Sequence, residues 1–287
     1  MRITIIGSNG QLGRDLVRVF KGYDLKPLTH EDVEITDFPQ LKNVIEEYIP
    51  DVIINTAAFH NVPECEKKPE KAFLVNSIGV KNLADLCRIN NIILIHISTD
   101  YIFDGKKNSP YHEEDIPNPL NVYGISKLAG EFLAKRVEKH YIIRVASLFG
   151  VSGCRAKGGG NFVKTMINFV KTKKAVQVTS NIVCSPTYTL DAAIRIKEIL
   201  EKKLPYGIYH VTNSGSCSWY EFAVEIFNQI GVNIKVEKRI ESEEIAGVKR
   251  PLYSALTSIK IKPLRHWKEA LKSYLEEEKI LKEVNVD

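Results

Sequence analysis

The hydrophobic pattern of the first 150 residues alternates short, continuous apolar runs with amphipathic segments. Four apolar runs predict strands, at 3–6, 51–55, 92–98 and 141–147. Between them, apolar residues recur at helical spacing. Continuous apolar strands separated by helices are typical of a parallel sheet that is buried on both faces, and right-handed crossovers wind such a sheet doubly. The pattern therefore predicts an α/β fold with a doubly wound, Rossmann-type parallel sheet.

After Gly150 the pattern loosens. A polar, glycine-rich stretch at 152–161 precedes a predicted helix at about 162–171. Three later elements are predicted to return to the sheet: a strand near 175–178, a helix near 189–202 and a strand at 207–211.

The remaining segments predict a smaller lobe above the strand ends. They are a helix from Trp219 to Ile230 and a C-terminus rich in Lys and Glu. We therefore expect a sheet domain at 1–149, with returning elements near 175–213, and a second region at 150–287 that forms most of the smaller lobe. The two lobes are interleaved in sequence.

Composition narrows the class of protein. A chain of 287 residues with 44% hydrophobic residues can bury a full core. No apolar run approaches the ~18 residues that cross a bilayer, and the start lacks the pattern of a secretory signal. Five cysteines without a C-x-x-C pair argue against a disulfide framework or a zinc site. We expect a cytoplasmic protein that has no membrane span and no metal.

The net charge of +5 arises from Lys and Arg mixed with Asp and Glu along the whole chain. Basic clusters are short, and no aromatic residues are interleaved with them. This pattern favours a solvated surface over a nucleic-acid groove. An anionic small substrate is compatible with it.

A glycine loop, "GSNGQLG", lies directly after the first predicted strand and opens the first helix. This is the context that a dinucleotide-binding turn requires, because the helix N-terminus offers free N–H groups to phosphates. The alternative is a glycine-rich turn without a ligand. We predict that the loop binds the cofactor through Gly7, Asn9, Gly10, Gln11, Leu12 and Gly13.

Two further segments carry candidate chemistry. "STDYIFDG" (98–105) ends the predicted fourth strand, where ligands bind in doubly wound sheets, and "NVYGISKLAG" (121–130) reads as helix. Tyr123 and Lys127 lie one turn apart on that helix. They are either ordinary helix residues or a proton donor with a cation beside it, and their spacing alone does not decide.

The spacing G-x-x-G-x-x-G and the set Thr99, Tyr123 and Lys127 resemble the extended short-chain dehydrogenase/reductase superfamily. "GGNFVKTM" (159–166), "SPTYTLDAA" (185–193) and "RPLYSALTSIKI" (250–261) resemble its dTDP-4-dehydrorhamnose reductase family. The resemblance implies reduction of the 4-keto group of a dTDP-linked 6-deoxyhexose.

The resemblance also implies roles for the three residues. Tyr123 protonates the ketone oxygen. Lys127 lowers the pKa of that phenol and holds the nicotinamide ribose, and Thr99 polarises the carbonyl.

The resemblance implies further contacts, each with a structural alternative. Asp37 and Phe38 correspond to positions beside the adenine, although Asp37 could equally cap the next helix. Ala57 and Ala58 leave room for the cofactor or are merely small packing residues. Tyr101 lines the substrate site or belongs to the core.

Two residues of the second half complete the predicted site. Arg250 matches diphosphate oxygens with its planar fork, or is a surface arginine before a turn proline. Asn161 contacts the sugar nucleotide or starts a helix.

The chain departs from the family pattern at two places. Leu148 stands where the family commonly has Trp, and "FHNVPECE" (59–66) replaces a stretch that also lines the pocket. Both leave the identity of the sugar open.

The cofactor phosphate is also ambiguous. Thr29 or His30, after the second strand, could accept the 2′-phosphate, whereas Glu31 or Asp32 would repel it. The resemblance favours NADPH, with NADH as the alternative.

The sequence is compatible with two alternative functions. A nucleotide-sugar epimerase or dehydratase retains its NAD and shares the Tyr and Lys, but Tyr101 after Asp100 disfavours a dehydratase. A non-catalytic regulatory subunit of the same fold has no need of Thr99, Tyr123 and Lys127. The oligomeric state stays open, with a homodimer as one option.

Overall fold

The computed structural model describes residues 1–153, 158–170, 175–242, 244–245 and 247–279. The strands are β1 (Arg2–Ile6), β2 (Asp24–Leu28), β3 (Val52–Asn55), β4 (Ile93–Thr99), β5 (His140–Val145), β6 (Leu148–Phe149), β7 (Ala175–Thr179), β8 (Val183–Cys184), β9 (Thr187–Tyr188), β10 (Gly207–His210), β11 (Asn213–Ser214), β12 (Cys217–Ser218), β13 (Lys235–Arg239), β14 (Glu244–Ile245), β15 (Val248–Lys249) and β16 (Leu264–His266). The α-helices are α1 (Gln11–Val19), α2 (Phe38–Tyr48), α3 (Val62–Lys67), α4 (Pro69–Phe73), α5 (Gly79–Ile89), α6 (Val122–Ala134), α7 (Phe162–Val170), α8 (Thr189–Glu201), α9 (Trp219–Gln229) and α10 (Trp267–Glu277).

Six parallel strands form the central sheet in the order β10-β5-β4-β3-β1-β2. The order reverses between the neighbouring strands β1 and β3, as in other doubly wound sheets. The predicted fold class is confirmed.

Alternate residues of each central strand enter two separate cores. On β3, Val52 and Ile54 pack with α1 and α8, whereas Ile53 packs with α2 and α5. All three are fully buried. Burial on both faces explains why these strands read as continuous apolar runs.

The helical segment between α3 and β4 contains an irregularity. It consists of α4, a π-helical turn at Leu74–Ile78 and α5. Within the π turn, the Asn76 amide accepts from the backbone N–H of Phe59 and donates to its carbonyl, each at 2.9 Å. The turn therefore fixes the loop that follows β3.

The elements after Gly150 build the smaller lobe. Its core combines apolar residues of α7, α9 and α10, among them Phe222 and Tyr274, with Phe149 of β6. The predicted return of α8 and β10 to the central sheet is confirmed, because α8 packs on α1 and β10 pairs with β5.

The prediction for the strand near 175–178 is wrong in one respect. This strand, β7, pairs in parallel with β13 rather than with the central sheet. Its exposed and buried positions alternate, which is the pattern of a strand that has one face to solvent.

In the described part of the chain, no helix is both long and apolar enough to cross a membrane.

Candidate active site

A cavity of about 820 Å³ opens at the carboxyl ends of the central strands, between the sheet and the smaller lobe. Its volume suits a dinucleotide's reactive end together with a substrate. Fourteen predicted residues line it: Gly7, Asn9, Gly10, Gln11, Leu12, Gly13, Ala57, Ala58, Thr99, Tyr101, Tyr123, Lys127, Asn161 and Arg250. Asp37 and Phe38 are not among the lining residues.

The glycine loop approaches its neighbours so closely that side chains are excluded. Gly7 has a positive φ of 77°, and a Cβ there would lie 2.6 Å from the Thr56 hydroxyl. A Cβ on Gly13 would lie 2.2 Å from the Gly7 carbonyl oxygen. Gly10 caps α1 without any side-chain hydrogen bond, so the helix N-terminus keeps its N–H groups for a phosphate.

Among the described residues, three buried polar atoms on the cavity lining have no hydrogen-bond partner. They are Gln11 Nε2, Ser98 Oγ and Arg250 Nε. A buried donor without a partner is costly, and two of these atoms are nitrogens that donate. The lining therefore fits an anionic, hydroxyl-rich ligand such as a dinucleotide with a nucleotide sugar.

Thr99 ends β4 with its hydroxyl directed into a tight turn. The hydroxyl donates to Asp100 Oδ1 at 3.1 Å and accepts from the Tyr101 N–H at 3.2 Å. Burial raises the pKa of Asp100 to about 6, although hydrogen bonds from Ser254 and Thr99 oppose the rise. Asp100 thus holds the Thr99 hydroxyl in place from behind.

Tyr123 lies in the first turn of α6, beside Thr99. The Tyr101 ring meets it edge to face at 5.7 Å between centroids. Burial raises the pKa of the Tyr123 phenol, and a hydrogen bond with Thr99 opposes that rise. The phenol is therefore a protonated donor at neutral pH.

Lys127 is directed at the sheet rather than at the phenol. Its ammonium group, 2% exposed, donates to the Ile97 carbonyl at 2.6 Å and lies 3.3 Å from His96 Nε2. Burial lowers the pKa of Lys127 to about 8, and the charge of Glu131 opposes this. Burial is the largest effect on the pKa of Tyr123, and Lys127 donates to Ile97 instead of to the phenol. That Lys127 lowers the pKa of Tyr123 stays a prediction.

The adenosine end of the cavity lies after β2. Asp37 Oδ1 accepts from the Gln40 N–H at 3.0 Å, which is the helix-capping alternative, and Phe38 opens α2 with 36% of its surface exposed. A role for these two residues beside the adenine stays a prediction. Lining residues that sequence reasoning missed are Val33, Glu34, Ile35 and Val75.

Of the residues predicted near the 2′-phosphate, some line the cavity and others do not. His30 lines the cavity. Asp32 does not, because its carboxylate accepts from the Thr29 N–H and hydroxyl, both at 2.7 Å. These bonds lower the pKa of Asp32 and engage Thr29, so His30 is the better candidate of the two for the phosphate.

The smaller lobe contributes an aromatic wall. Phe162 on α7 lies 4.6 Å from Trp219 and 5.4 Å from Phe222, measured between ring centroids. All three line the cavity with Leu148. Apolar residues at helical spacing look the same in sequence whether they line a cavity or pack in the core. The three aromatic residues were therefore not predicted as site residues.

Asn161 has mainly structural contacts. Its amide donates to the Gly150 carbonyl and accepts from the Lys164 N–H, both at 2.9 Å, which starts α7. Its contact with substrate stays a prediction. Residues 154–157 of the predicted glycine-rich loop lie outside the described residues.

Arg250 hydrogen-bonds Tyr101, and both residues line the cavity. A hydrogen bond and the charge of Arg250 both lower the pKa of Tyr101, while burial raises it to about 12. The replaced stretch after β3 also lines the cavity, through His60, Asn61 and Val62. Among the described residues, no group of His, Cys, Asp and Glu could hold a metal ion.

Comparison with known proteins finds relatives along nearly the whole chain. The family model described as "RmlD substrate binding domain" matches residues 1–280. The spore coat polysaccharide biosynthesis protein SpsK of Bacillus subtilis is 39% identical over 283 residues, covering 96% of this chain and 97% of the relative. The dTDP-4-dehydrorhamnose reductase of Aggregatibacter actinomycetemcomitans is 35% identical over 292 residues, covering 95% of this chain and 97% of the relative.

Solved structures give the same picture. A dTDP-4-dehydrorhamnose reductase from Bacillus anthracis, in complex with NADP, superposes with a TM-score of 0.90 at 36% identity and covers 96% of this chain and 99% of its own. A UDP-glucose 4-epimerase from Thermus thermophilus, at 19% identity over 97% of this chain and 99% of its own, has a TM-score of 0.80 and shares the fold alone.

Proposed function

Because the chain belongs to the dTDP-4-dehydrorhamnose reductase family, we propose that it reduces the 4-keto group of dTDP-4-dehydro-L-rhamnose to give dTDP-L-rhamnose. The enzyme is an NADPH-dependent nucleotide-sugar ketoreductase. NADH remains the alternative cofactor.

One observation carries the proposal. Thr99, Tyr123 and Lys127 line the same cavity as the glycine loop, at the carboxyl end of β4. A hydroxyl, a protonated phenol and a lysine beside a dinucleotide site are the groups that ketone reduction needs. A protein that only binds partners would have no use for the set.

The protein residues act on the ketone oxygen and on the cofactor. NADPH, when bound, supplies the hydride to the carbonyl carbon. The Tyr123 phenol donates a proton to the developing alkoxide. The Thr99 hydroxyl has one proton, which Asp100 accepts in this structure, and it would turn that proton to the carbonyl oxygen when the ketone binds. Lys127 holds the nicotinamide ribose hydroxyls.

The cofactor-binding part follows the chain's own geometry. The N–H groups of Gln11, Leu12 and Gly13 start α1 and would bind the pyrophosphate. His30 at the end of β2 would hold the 2′-phosphate. We assign residues 1–149, with the returning segments near 175–213, to the cofactor domain and 150–287 mainly to the substrate.

Substrate binding depends on the smaller lobe. Arg250 lines the cavity, and its buried Nε has no partner in the part of the chain that the structure describes, which suits the diphosphate. The aromatic wall of Phe162, Trp219 and Phe222 offers flat faces to the base or the sugar. Leu148 is smaller than the Trp that the family commonly has at this position, so it leaves more space beside the reacting sugar.

The test is NADPH oxidation by purified protein, measured with dTDP-4-dehydro-L-rhamnose and with other 4-ketosugar nucleotides. We expect the highest kcat/KM with the rhamnose precursor and a higher value with NADPH than with NADH. Turnover only with another ketosugar would reject the rhamnose assignment. Tightly retained NAD without consumption of NADPH would instead identify an epimerase or dehydratase.

We also propose a homodimer. Five apolar residues of α4, the π turn and α6 are more than a third exposed: Phe73, Leu74, Ile78, Ile125 and Phe132. These elements pack on each other, so the residues belong to one helical layer. Sedimentation velocity of the protein would show a dimer, and a monomer at every concentration would reject this proposal.

A cytoplasmic location stays a prediction that cell fractionation would check.

A further inference from the structure

Lys127 ends against a buried pair of polar side chains. Asn55 and His96 are direct partners in the parallel pairing of β3 and β4, and both are fully buried. Asn55 Nδ2 lies 3.2 Å from His96 Nδ1, and His96 Nε2 lies 3.3 Å from Lys127 Nζ. The three groups form a continuous chain into the catalytic set.

The direction of this chain is determined at its far end. The Ala57 N–H donates to Asn55 Oδ1 at 3.1 Å, so the amide nitrogen of Asn55 is the atom that faces the imidazole. An amide nitrogen only donates, and Nδ1 of His96 must therefore accept. A neutral imidazole with an accepting Nδ1 carries its single proton on Nε2.

The imidazole is neutral in this setting. Burial, and then the charge of Lys127, lower the pKa of His96 well below its ordinary value. A doubly protonated ring would in addition place an Nδ1–H against the amide nitrogen of Asn55. His96 therefore presents one donor, and that donor points at Lys127.

An ammonium group cannot accept this donor. It has three N–H groups and no lone pair, whereas the unprotonated amine has one lone pair. The amine can accept from His96 Nε2 and still donate to the Ile97 carbonyl. The contact is satisfied only when Lys127 is unprotonated.

We propose that Asn55 and His96 are positioning residues that weaken proton binding by Lys127, because the fixed Nε2–H of His96 favours the amine over the ammonium. The inference rests on the proposed function only for its catalytic consequence. Burial already lowers the pKa of Lys127 to about 8, and the pair would favour the amine further.

Other charged groups do not cancel the effect. From α6 itself, Glu131 raises the pKa of Lys127, but Arg144 of β5 binds both of its carboxylate oxygens, at 3.0 and 2.8 Å. Asp100, after β4, and Cys65, on α3, act on Tyr123 rather than on Lys127.

A catalytic consequence follows from the order of titration. The pKa of Lys127 is about 8, whereas that of Tyr123 is raised above its ordinary value. Lys127 therefore loses its proton first as the pH rises. We expect kcat/KM to fall through that range while the phenol is still protonated, so the alkaline limb reports Lys127.

Nuclear magnetic resonance of the whole protein tests the tautomer directly. Long-range ¹H–¹⁵N spectra of histidine-labelled protein, with His96→Gln used to assign the ring, should show the Nε2–H tautomer between pH 6 and 9. A ¹³Cε titration of labelled lysines, with Lys127→Arg as the assignment variant, should give Lys127 a pKa far below that of exposed lysines. An Nδ1–H tautomer in the wild-type protein would overturn the proposal.

Asn55→Asp tests the direction of the chain. Aspartate keeps the oxygen that Ala57 uses and places an acceptor where the amide nitrogen stood. The proton of His96 should move to Nδ1, and Nε2 should then accept from the ammonium of Lys127. We expect the pKa of Lys127 and the alkaline limb of kcat/KM to rise together by at least about 1 pH unit.

The added carboxylate could also act on Lys127 through space, and a double variant separates the two effects. In a His96→Leu background, Asn55→Asp should move the pKa of Lys127 by less than half as much. An equal movement in both backgrounds, or an unchanged pKa in Asn55→Asp, would contradict the proposal. These readouts need no ketosugar turnover, so their failure is distinct from failure of the proposed function.

Discussion

Lys127 contributes to the site at the expense of folding stability. A pKa lowered from 10.5 to about 8 corresponds to about 3 kcal/mol of destabilisation by the buried charge. The penalty is complete below pH 8, where both folded and unfolded states are protonated. It disappears between pH 8 and 10.5, because the folded state loses its proton first.

We therefore expect Lys127→Met to be more stable than the wild type at pH 7. The gain should be about 1–2 kcal/mol, since the lost hydrogen bond to Ile97 costs about 1 kcal/mol. Urea unfolding at pH 7 and at pH 9.5 measures it, and the advantage should shrink at the higher pH. The exposed Lys106→Met is the control, with little change expected. A less stable Lys127→Met at pH 7 would show that the burial penalty is overstated.

Tyr123 is the proposed proton donor, and its removal tests that role alone. Tyr123→Phe keeps the ring that meets Tyr101 and deletes the hydroxyl. We expect kcat to fall by about 10²-fold or more, the contribution of a general acid, while the Kd for NADPH stays within about threefold. Stopped-flow turnover and fluorescence titration measure the two quantities. Near-normal turnover would remove Tyr123 from the mechanism.

At the scale of elements, α6 joins the catalytic residues to the π turn. A Cβ on Gly130 would lie 2.2 Å from the carbonyl oxygen of Asn76, whose side chain fixes the loop at Phe59. A Cβ on Gly79 would lie 2.6 Å from both the Cγ1 and the Cδ1 of the buried Ile35, a side chain that must shift but is not backbone. The two glycines are therefore a matched pair on neighbouring helices.

Gly130→Ala should be destabilising and Gly79→Ala nearly neutral. Alanine gains about 1 kcal/mol of helix propensity at either site, but overpacking against a backbone costs about 1–3 kcal/mol. We expect Gly130→Ala to be at least about 1 kcal/mol less stable than Gly79→Ala, with lower kcat/KM. Denaturant unfolding with parallel kinetics measures both. Equal stability of the two variants would contradict the close packing of α6 on the π turn.

The sequence predicted elements better than it predicted their partners. Continuous apolar runs gave β1, β3, β4 and β5, because burial on both faces leaves a strong signal. The partner of β7 is β13, which lies more than 50 residues later in the chain. No local sequence pattern predicts that pairing. The π turn at Leu74–Ile78 was missed because it keeps the apolar spacing of an ordinary helix.

The site shows the same limit. The glycine loop, Thr99, Tyr123 and Lys127 were found because short motifs carry them. His96 was missed because nothing in an apolar strand marks which polar residue faces the catalytic lysine. The orientation of Lys127 toward His96 and Ile97 likewise depends on tertiary packing.

At the scale of the whole molecule, the two lobes enclose one cavity and divide the substrate between them. The aromatic wall belongs to α7 and α9 of the smaller lobe. Arg250 hydrogen-bonds Tyr101, whose ring packs against that of Tyr123, so the proposed diphosphate anchor lies next to the catalytic residues. Binding energy from the nucleotide can therefore orient the ketone toward the cofactor.

Two changes should consequently affect binding of the nucleotide rather than the proton transfer. Arg250→Ala should raise KM for the dTDP-linked ketosugar by about tenfold or more, since a charged hydrogen bond contributes about 1.5–3 kcal/mol. Arg250→Lys keeps the charge but loses the planar guanidinium. Its KM for the dTDP-linked ketosugar should lie between that of Arg250→Ala and that of the wild type. The free 4-ketosugar should be a very poor substrate. Equal kcat/KM for the free and linked sugars would reject the role given to Arg250.

The most direct test of the central claim follows the hydride itself. Wild-type protein is incubated with dTDP-4-dehydro-L-rhamnose and NADPH that carries deuterium at the transferred position of C4, and the sugar is analysed by nuclear magnetic resonance and mass spectrometry. The mechanism predicts dTDP-L-rhamnose with one deuterium at C4 of the sugar, formed in step with NADPH oxidation. A reduced sugar without deuterium at C4, or a product formed without consumption of NADPH, would contradict it.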